Sequence, residues 1–499
     1  MPALTQQQLE SHLWGAADIL RGSVDAGAYM TYIFALLFYK RLCDVWEEEY
    51  EAVLKETGDK EEAADPIEHR FHIPPGHFWR DIRKSATDIG QRLNNAFHAI
   101  EDENLRLKGV FQDVDFANKE RFPDATIEKL LVHFEKHRLR NVDAPGDMLG
   151  DAYQYLIKMF AEGSGKKGGE FYTPQMVTRL IVECLEPEEG MSIYDPTCGS
   201  AGMLLEAAAY IKRKGGDPRR LALYGQEKNL NTWAIAQINL FLHNIDDAFI
   251  AKGDTLLNPQ RYDGDKKEFV SGVAEYDRVL ANPPFSQKQW GHEVWTKGDN
   301  FGRDNYGCPP KSYGDLAFVQ HMIASLKPNG RLGVVLPHGV LFRAGAEGKI
   351  REKMLRADII EAVIGLAPNL FYGAGIPACI LLINKKKPKA RKNHVLIVNG
   401  GETYKEGKAQ NFLTEAHIAA LSGAYLNWET KDKLSRPVPM DEIEANGWNL
   451  NLSRYVQVGP DAEELDVAAE VAKLKDLIKE RDKAEAEMMK HLEALGYGV

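Results

Sequence analysis

Asn282-Pro283-Pro284-Phe285 closes an apolar run, YDRVLA, that reads as a buried strand. Proline cannot donate to a sheet ladder and holds φ at about −65°, so a pair of prolines ends the strand and stiffens the chain beyond it. The tetrapeptide offers two rigid hydrogen-bond acceptors, the Asn282 side-chain oxygen and the Pro283 carbonyl, beside the flat face of Phe285. Such a clamp can hold a planar group that carries N–H donors.

Upstream, IYDPTCGSAGMLLEAA (193–208) reads as a strand, a tight loop and a helix start. Gly199 and Gly202, with Ser200 and Ala201 between them, let the backbone turn sharply and approach a ligand where side chains would obstruct. The N–H groups at such a helix start suit a carboxylate or a phosphate. The spacing is not a G-x-G-x-x-G fingerprint, which counts against a nicotinamide-dependent oxidoreductase, as do the prolines at 283 and 284. Acids then follow in order. Asp195 precedes the loop, Glu227 ends LYGQE where it can accept both hydroxyls of a ribose, and Asp254 ends the next strand within reach of an adenine amino group. So many carboxylates disfavour a pyrophosphate and favour an adenosyl ligand bearing positive charge. S-adenosylmethionine, with its sulfonium, fits.

GGEFYTPQMVTRLIVECL (168–185) opens another helix, with Thr173-Pro174 expected as N-cap and first-turn residue. Phe171 and Tyr172 are placed to pack over the ligand, their faces attracting a sulfonium. His243, His321 and His338 are read as structural or surface histidines. The five cysteines, at 43, 184, 198, 308 and 379, show neither metal spacing nor a disulfide framework, and no metal is expected.

These residues need a scaffold. Strand-like runs, MSIYDP, LALYGQE, AFIAKGD, YDRVLANPP, GRLGVVLP, IIEAVIGL and ACILLINK, alternate with helical patterns, the signature of a mostly parallel sheet covered on both faces. The last two runs are read as a possible antiparallel pair at the edge. From Gln6 to Phe134 the pattern is helical, broken by the acidic ETGDKEEAADP (56–66), read as a solvated loop. Residues 146–160 read as a helix and AEGSGKKGGE (161–170) as a flexible joint. KKKPKARK (385–392) reads as a solvated hairpin loop. In the tail, Val467, Val471, Leu474, Ile478, Met488, Leu492 and Leu495 form a narrow stripe on a charged helix, suited to pairing with another helix. The expected division is a helical N-terminal domain over 1–150, a catalytic domain over 151–455 and a C-terminal helix for partner docking over 456–499. No run approaches the roughly 20 apolar residues of a membrane span. MPALTQQQLESHLW lacks a secretion-signal layout, so a soluble, cytoplasmic protein is expected. A formal charge of −11 means that any grip on a nucleic-acid backbone would come largely from elsewhere.

The order EFYTP, DPTCGSAG, GQE, GD, NPPF resembles the N6-adenine DNA methyltransferases, and more closely the methyltransferase (modification) subunit of type I restriction–modification systems. LWGAADILRGSVDAGAYMTYIFALLFYKRLCDV is similar to that family's helical N-terminal domain. YGCPPKSYGDLAFVQHMI, GVVLPHGVLFRAGAEGKIRE and IGLAPNLFYGAGIPACILLI are similar to its sequence beyond the tetrapeptide, so the resemblance spans nearly the whole chain. It implies a Rossmann-like α/β S-adenosylmethionine-dependent methyltransferase with a mostly parallel sheet, an all-helical N-terminal domain and a C-terminal helical extension. It also implies cofactor contacts at Glu170, Phe171, Tyr172, Thr173, Pro174, Gln175, Ser200, Ala201, Gly202 and Glu227. Cys198 stands where the family often has alanine or glycine, and no pyrimidine-methylase Pro-Cys pair accompanies it.

The implied partners are double-stranded DNA, a specificity subunit that reads the target, with two copies of this chain per specificity subunit, and a restriction subunit. The implied reaction is methyl transfer to the N6 amine of an adenine flipped out of the duplex. Asn282 and Pro283 would accept from that amine and localise its lone pair, with Pro284 stiffening the clamp and Phe285 stacking on the base. No tuned general base is required. Two other readings are a protein glutamine-amide methyltransferase, which uses a similar tetrapeptide, and a non-catalytic cofactor-binding scaffold. The long helical N-terminal domain and the C-terminal helix argue against the first, and the intact tetrapeptide argues against the second.

Overall fold

The computed structural model describes residues 4–20, 26–163, 172–371, 375, 377–408, 410–457 and 467–497, with only the backbone described at 26–29, 146–147, 163 and 467–469. The chain divides into two units, Met1–Gln457 and Val458–Val499.

The first unit is organised by one sheet of nine strands: β1 (Ser192–Asp195), β2 (Ala222–Glu227), β3 (Phe249–Lys252), β6 (Tyr276–Ala281), β7 (Leu326–Pro337), β8 (Ile360–Gly365), β9 (Ala378–Asn384), β10 (His394–Asn399) and β11 (Ser435–Pro439). A separate antiparallel hairpin, β4 (Gln260–Asp263) and β5 (Glu268–Ser271), lies between β3 and β6 in the chain. The spatial order is β11-β10-β8-β9-β7-β6-β1-β2-β3. All pairings in it are parallel except those of β9 with β7 and β8, and of β10 with β11.

Side chains alternate across each strand, so neighbours enter different cores. Leu280 joins a core shared with the N-terminal helices, whereas Val279 and Ala281 join the core on the other face. Both faces are covered, which is why these strands read as continuous apolar runs. All seven apolar runs form strands. The expected antiparallel pair is present, as β8 and β9, but it lies inside the sheet and not at its edge. β8 and β9 are buried along their whole length, and β11, with Pro437 and Pro439, takes the edge.

The helical pattern before residue 134 is present, including helices Gln6–Leu20, Ala26–Thr57, Ile89–Glu103 and Asp124–Glu135. The acidic stretch expected as a loop holds one helical turn, Lys60–Ala63, capped by the Asp59 carboxylate. The helix expected to stop at 160 continues as Gly146–Gly163, and the rest of the glycine-rich joint lies outside the described residues. The helical region is tied to the sheet region by the Arg70 guanidinium, which pairs with Asp246 and donates to Asn244 Oδ1 at 2.9 Å. Phe38 stacks on Phe241 at 5.8 Å in the same seam.

The basic run 385–392 is a loop with Lys386, Lys389 and Lys392 exposed, but it is not a hairpin, because β8 lies between β9 and β10, and two of its cations turn inward. Lys387 is buried and donates to the His394 carbonyl at 2.7 Å and to Asp358, while Arg391 reaches the Leu426 carbonyl at 2.9 Å. The Asp358 carboxylate and backbone carbonyls at the ends of neighbouring elements take up these two charges. In the second unit, helix Val467–Ala494 carries the apolar stripe, and Val471, Leu474, Ile478 and Met488 are exposed. Among the described residues no helix is long and apolar enough to cross a membrane.

Candidate functional site

β6, β1, β2 and β3 lie side by side and parallel, so their carboxyl ends open on one edge of the sheet. The chain runs from β1 outward to β2 and β3, then returns to β6 on the other flank of β1. This reversal leaves a crevice beyond the strand ends. The tetrapeptide follows β6, the glycine loop follows β1, Glu227 ends β2 and Asp254 follows β3.

The loop after β1 makes its turn with left-handed residues at Gly199 (φ 54°) and Ala201 (φ 64°). Cys198 tucks inward beneath β2, its backbone N–H donating to the Gln226 carbonyl at 3.1 Å. A Cβ on Gly225 would come within 3.2 Å of Cys198, so the missing side chain makes room for the cysteine. Burial holds the Cys198 thiol well above its ordinary range, which keeps it neutral and unfit as a nucleophile. A Cβ on Gly202 would meet only Ser200 Oγ, at 4.0 Å. The protein's own packing does not require a glycine there, and the residue faces a cavity.

The loop is held from three sides. Asn239 Nδ2 donates to the Ser200 carbonyl at 2.7 Å, the Thr255 hydroxyl to the Pro196 carbonyl at 2.6 Å, and the Gly199 N–H to Glu227 Oε2 at 3.0 Å. Glu227 Oε1 accepts from the Asn229 N–H at 2.8 Å, leaving further lone pairs on both oxygens. Burial raises the Glu227 carboxyl, and burial, aided by the nearby Glu227 charge, pushes Asp195 up to about 8. A cation in the crevice would reverse these shifts, as the donor set expects for a sulfonium or an ammonium group.

Asp254 is differently employed. It caps its own turn through the Leu256 and Leu257 N–H groups and pairs with Lys228 Nζ at 2.8 Å. Tyr172, Thr173, Gln175, Asp195, Gly199, Ser200, Gly202 and Asn282 line one cavity of about 780 Å³, which Glu227 and Asp254 do not line. Glu227 reaches that cavity only through its bond to the Gly199 backbone. Glu170 and Phe171 lie outside the described residues. Three further lining groups carried no sequence signal. Asp151 and Gln154 come from the helix Gly146–Gly163, and Thr197 has a buried hydroxyl with no partner among the described residues.

Thr173 does not cap the following helix. That helix, Gln175–Leu185, starts from Pro174 with no side-chain cap, and Thr173 Oγ1 instead accepts from Asn282 Nδ2 at 3.0 Å. With the amide in this orientation, Asn282 Oδ1, buried and without a partner among the described residues, is the end left over. A buried acceptor in that state costs stability unless something else donates to it. Beyond the tetrapeptide the chain reverses through Ser286 (φ 54°), whose N–H donates to the buried Asp315 Oδ1 at 2.8 Å. Phe285 is half-buried, with the Phe371 ring edge-on at 5.9 Å.

His243 lines the same cavity, its Nδ1 2.8 Å from the Asn239 carbonyl, whereas the other two histidines are poor bases. His321 is lowered to about 3 by burial and then by the Arg303 charge, and His338 is lowered by burial while bonded to the Ala378 carbonyl. Among the described residues no cluster of histidine, cysteine and acidic side chains could hold a metal ion.

Residues 144–464 match the N-6 DNA Methylase family, and residues 9–134 match the HsdM N-terminal domain. The MjaVII type I restriction enzyme methylase subunit of Methanocaldococcus jannaschii is 32% identical over 98% of this chain and 85% of that protein. The HindI methylase subunit of Haemophilus influenzae is 31% identical over 82% of this chain and 93% of its own. The solved type I restriction-modification methyltransferase subunit from Streptococcus thermophilus superposes with a TM-score of 0.79 at 32% identity, covering 91% of this chain and all of that one. The mostly parallel sheet, the crevice at its switch point and these matches agree: the chain belongs to the N-6 DNA Methylase family and is a DNA methyltransferase of the type I methylase-subunit kind.

Proposed function

We propose that the chain transfers a methyl group from S-adenosylmethionine to the N6 amine of an adenine flipped out of double-stranded DNA. It would do so as the modification subunit of a cytoplasmic type I complex. The observation that carries this reading is Asn282, whose Nδ2 is bonded to Thr173 and whose buried Oδ1 has no partner among the described residues.

The exocyclic amine of adenine is a poor nucleophile because its lone pair is shared with the ring. Asn282 Oδ1 and the Pro283 carbonyl accept its two hydrogens, which turns the lone pair out of conjugation. Both acceptors are preorganised, one by Thr173 and one by the proline ring, so little reorganisation accompanies the reaction. Pro284 carries the rigidity on to Phe285, which stacks on the extruded base with Phe371 behind it. S-adenosylmethionine supplies, when bound, a methyl group on a sulfonium. Tyr172, Thr173, Pro174, Gln175, Ser200, Ala201 and Gly202 would seat it, Asp195 and Glu227 would offset its positive charge, and Asp254 would read its adenine once Lys228 is displaced. Glu170 and Phe171 are proposed contacts on the same side. Transfer would then be a matter of positioning, with no tuned general base. As the amine nitrogen takes the methyl carbon, the sulfur–methyl bond would break with its electron pair left on a neutral thioether, and the extra proton on the methylated amine would pass to water.

The net charge of −11 supports a division of labour in which a specificity subunit carries most of the DNA grip. A restriction subunit and two copies of this chain per specificity subunit complete the proposed assembly. Within the chain we propose a helical domain over 1–150, a catalytic domain over 151–455 and the tail 456–499 as the part that docks a partner subunit. The test is product analysis on a complex reconstituted with the specificity subunit, target duplex and labelled cofactor. Label in N6-methyladenine at a defined site is expected. Label in methylglutamine, or none, sinks the reading.

A further inference from the structure

After the tetrapeptide the chain makes a long excursion, 286–314, before the helix Asp315–Ala324. It has a core of its own, in which Trp290 and Trp295, each 1% exposed, pack with Leu256 from the turn after β3. At its centre Arg303 is 2% exposed, and every N–H of its guanidinium is used. Nε and Nη2 grip the two Asp299 oxygens at 2.9 and 2.7 Å. Nη1 and Nη2 donate to the carbonyls of Thr255 and Leu256 at 2.9 and 2.7 Å, and Nη1 also faces His321 Nδ1 at 3.2 Å.

We propose that Arg303 is a positioning residue that sets the spacing between the cofactor side and the target side of the crevice. The proposal rests on the function proposed above. Thr255 and Leu256 directly follow Asp254, the group proposed to read the cofactor's adenine, and Thr255 also bonds to the loop after β1. Asp299 belongs to the excursion that continues from Phe285. His321 lies on the helix whose first residue, Asp315, holds the Ser286 N–H. One buried planar cation therefore ties together three segments that carry the reacting partners. Lysine can keep the charge but, as a point donor on a flexible stem, cannot span the same acceptors. Misplacement of reacting groups by about 1 Å costs a rate of order 10²-fold.

The test compares Arg303→Lys and Asp299→Asn with Arg278→Lys. Arg278 is also buried, at 8% exposure, and bonds the Leu185, Glu186 and Asp277 backbone, at the opposite end of β6. In the reconstituted complex with saturating cofactor and duplex, Arg303→Lys is expected to slow single-turnover transfer by about 10- to 100-fold. Asp299→Asn should slow it less, and Arg278→Lys should leave the rate per folded molecule unchanged. In the full-length chain without ligand, amide exchange should rise together at 254–257 and at 286–300 in Arg303→Lys alone. An unchanged rate, an equal loss in Arg278→Lys, or exchange rising in only one of the two segments overturns the proposal. If the wild-type complex fails to methylate adenine, the proposed function fails, and the exchange experiment still decides the role of Arg303.

Discussion

On the cofactor side of the crevice the carboxylates are already engaged by the chain: Glu227 takes two backbone N–H groups, Asp195 takes the Thr197 N–H, and Asp254 closes its own turn and meets Lys228. On the target side, Asn282 has one end of its amide bonded and the other buried with no partner among the described residues. The first side is geometrically complete and electrostatically uncomfortable, with Asp195 pushed up to about 8. The second is electrostatically neutral and short of a donor. On the proposed function, the difference means that the two ligands would be recognised by different physics. Charge and fit act on one side, and the orientation of a single amide acts on the other. Changes on the cofactor side should move binding and its pH dependence, and changes on the target side should move rate.

The largest effect expected is on the target side. Asn282→Ala should lower single-turnover transfer by about 10²–10³-fold, the scale of losing one preorganised hydrogen-bonding group. Cofactor affinity, measured by titration calorimetry, should stay within about twofold. A comparable loss of cofactor affinity would erase the distinction between the two sides.

Asp195 sharpens the comparison through pH. Folding raises its carboxyl from an ordinary 3.8 to about 8, so the fold favours the protonated form. Its contribution to the stability of the unliganded chain is therefore fully present below about pH 4 and is lost as pH rises through about 8. A bound cation favours the carboxylate, so cofactor affinity should rise with pH, by up to about tenfold per unit, and level off above about 8. Asp195→Asn should flatten both profiles. Transfer at saturating cofactor should keep its rate within a few-fold.

Gly202→Ala separates steric from electrostatic recognition on the cofactor side. Its Cβ meets nothing in the protein closer than Ser200 Oγ at 4.0 Å, and glycine within a helix costs about 0.5–1 kcal/mol relative to alanine. The melting temperature should hold or rise slightly while cofactor affinity falls by about tenfold, about 1.4 kcal/mol. An unaffected affinity would mean that the ligand does not approach this glycine.

The smallest effect expected lies away from both sides, at the seam with the helical region. Arg70→Ala removes a pair with Asp246 that solvent partly screens, so the cost should be about 1 kcal/mol or less in denaturant melts, with transfer unchanged.

The sheet was legible because its central strands are buried on both faces and announce themselves as apolar runs. Of the four strands that escaped notice, three lack that signature, while β10, HVLIVN, is buried and apolar and was passed over despite carrying it. β4 and β5 are short and half-exposed, and β11 is interrupted by two prolines. The glycine loop and the tetrapeptide were legible as local patterns. The bond between Thr173 and Asn282 was not, because the two residues are 109 apart in the chain and meet only through tertiary packing. A threonine before proline reads locally as a helix cap, and tertiary contact redirected it. The same redirection turned Lys387 and Arg391 inward to acceptors on neighbouring elements that no local pattern reveals.

The central claim is that Thr173 acts on the reaction by orienting Asn282. A double-mutant cycle on the single-turnover rate in the reconstituted complex tests it directly. Thr173→Val in the otherwise native chain should slow transfer by about 3- to 10-fold, the worth of one hydrogen bond, with Thr173→Ser restoring it. In the Asn282→Ala background the same substitution should cost nothing, because the amide it orients is gone. Equal losses in both backgrounds would contradict the account and return Thr173 to the cofactor alone.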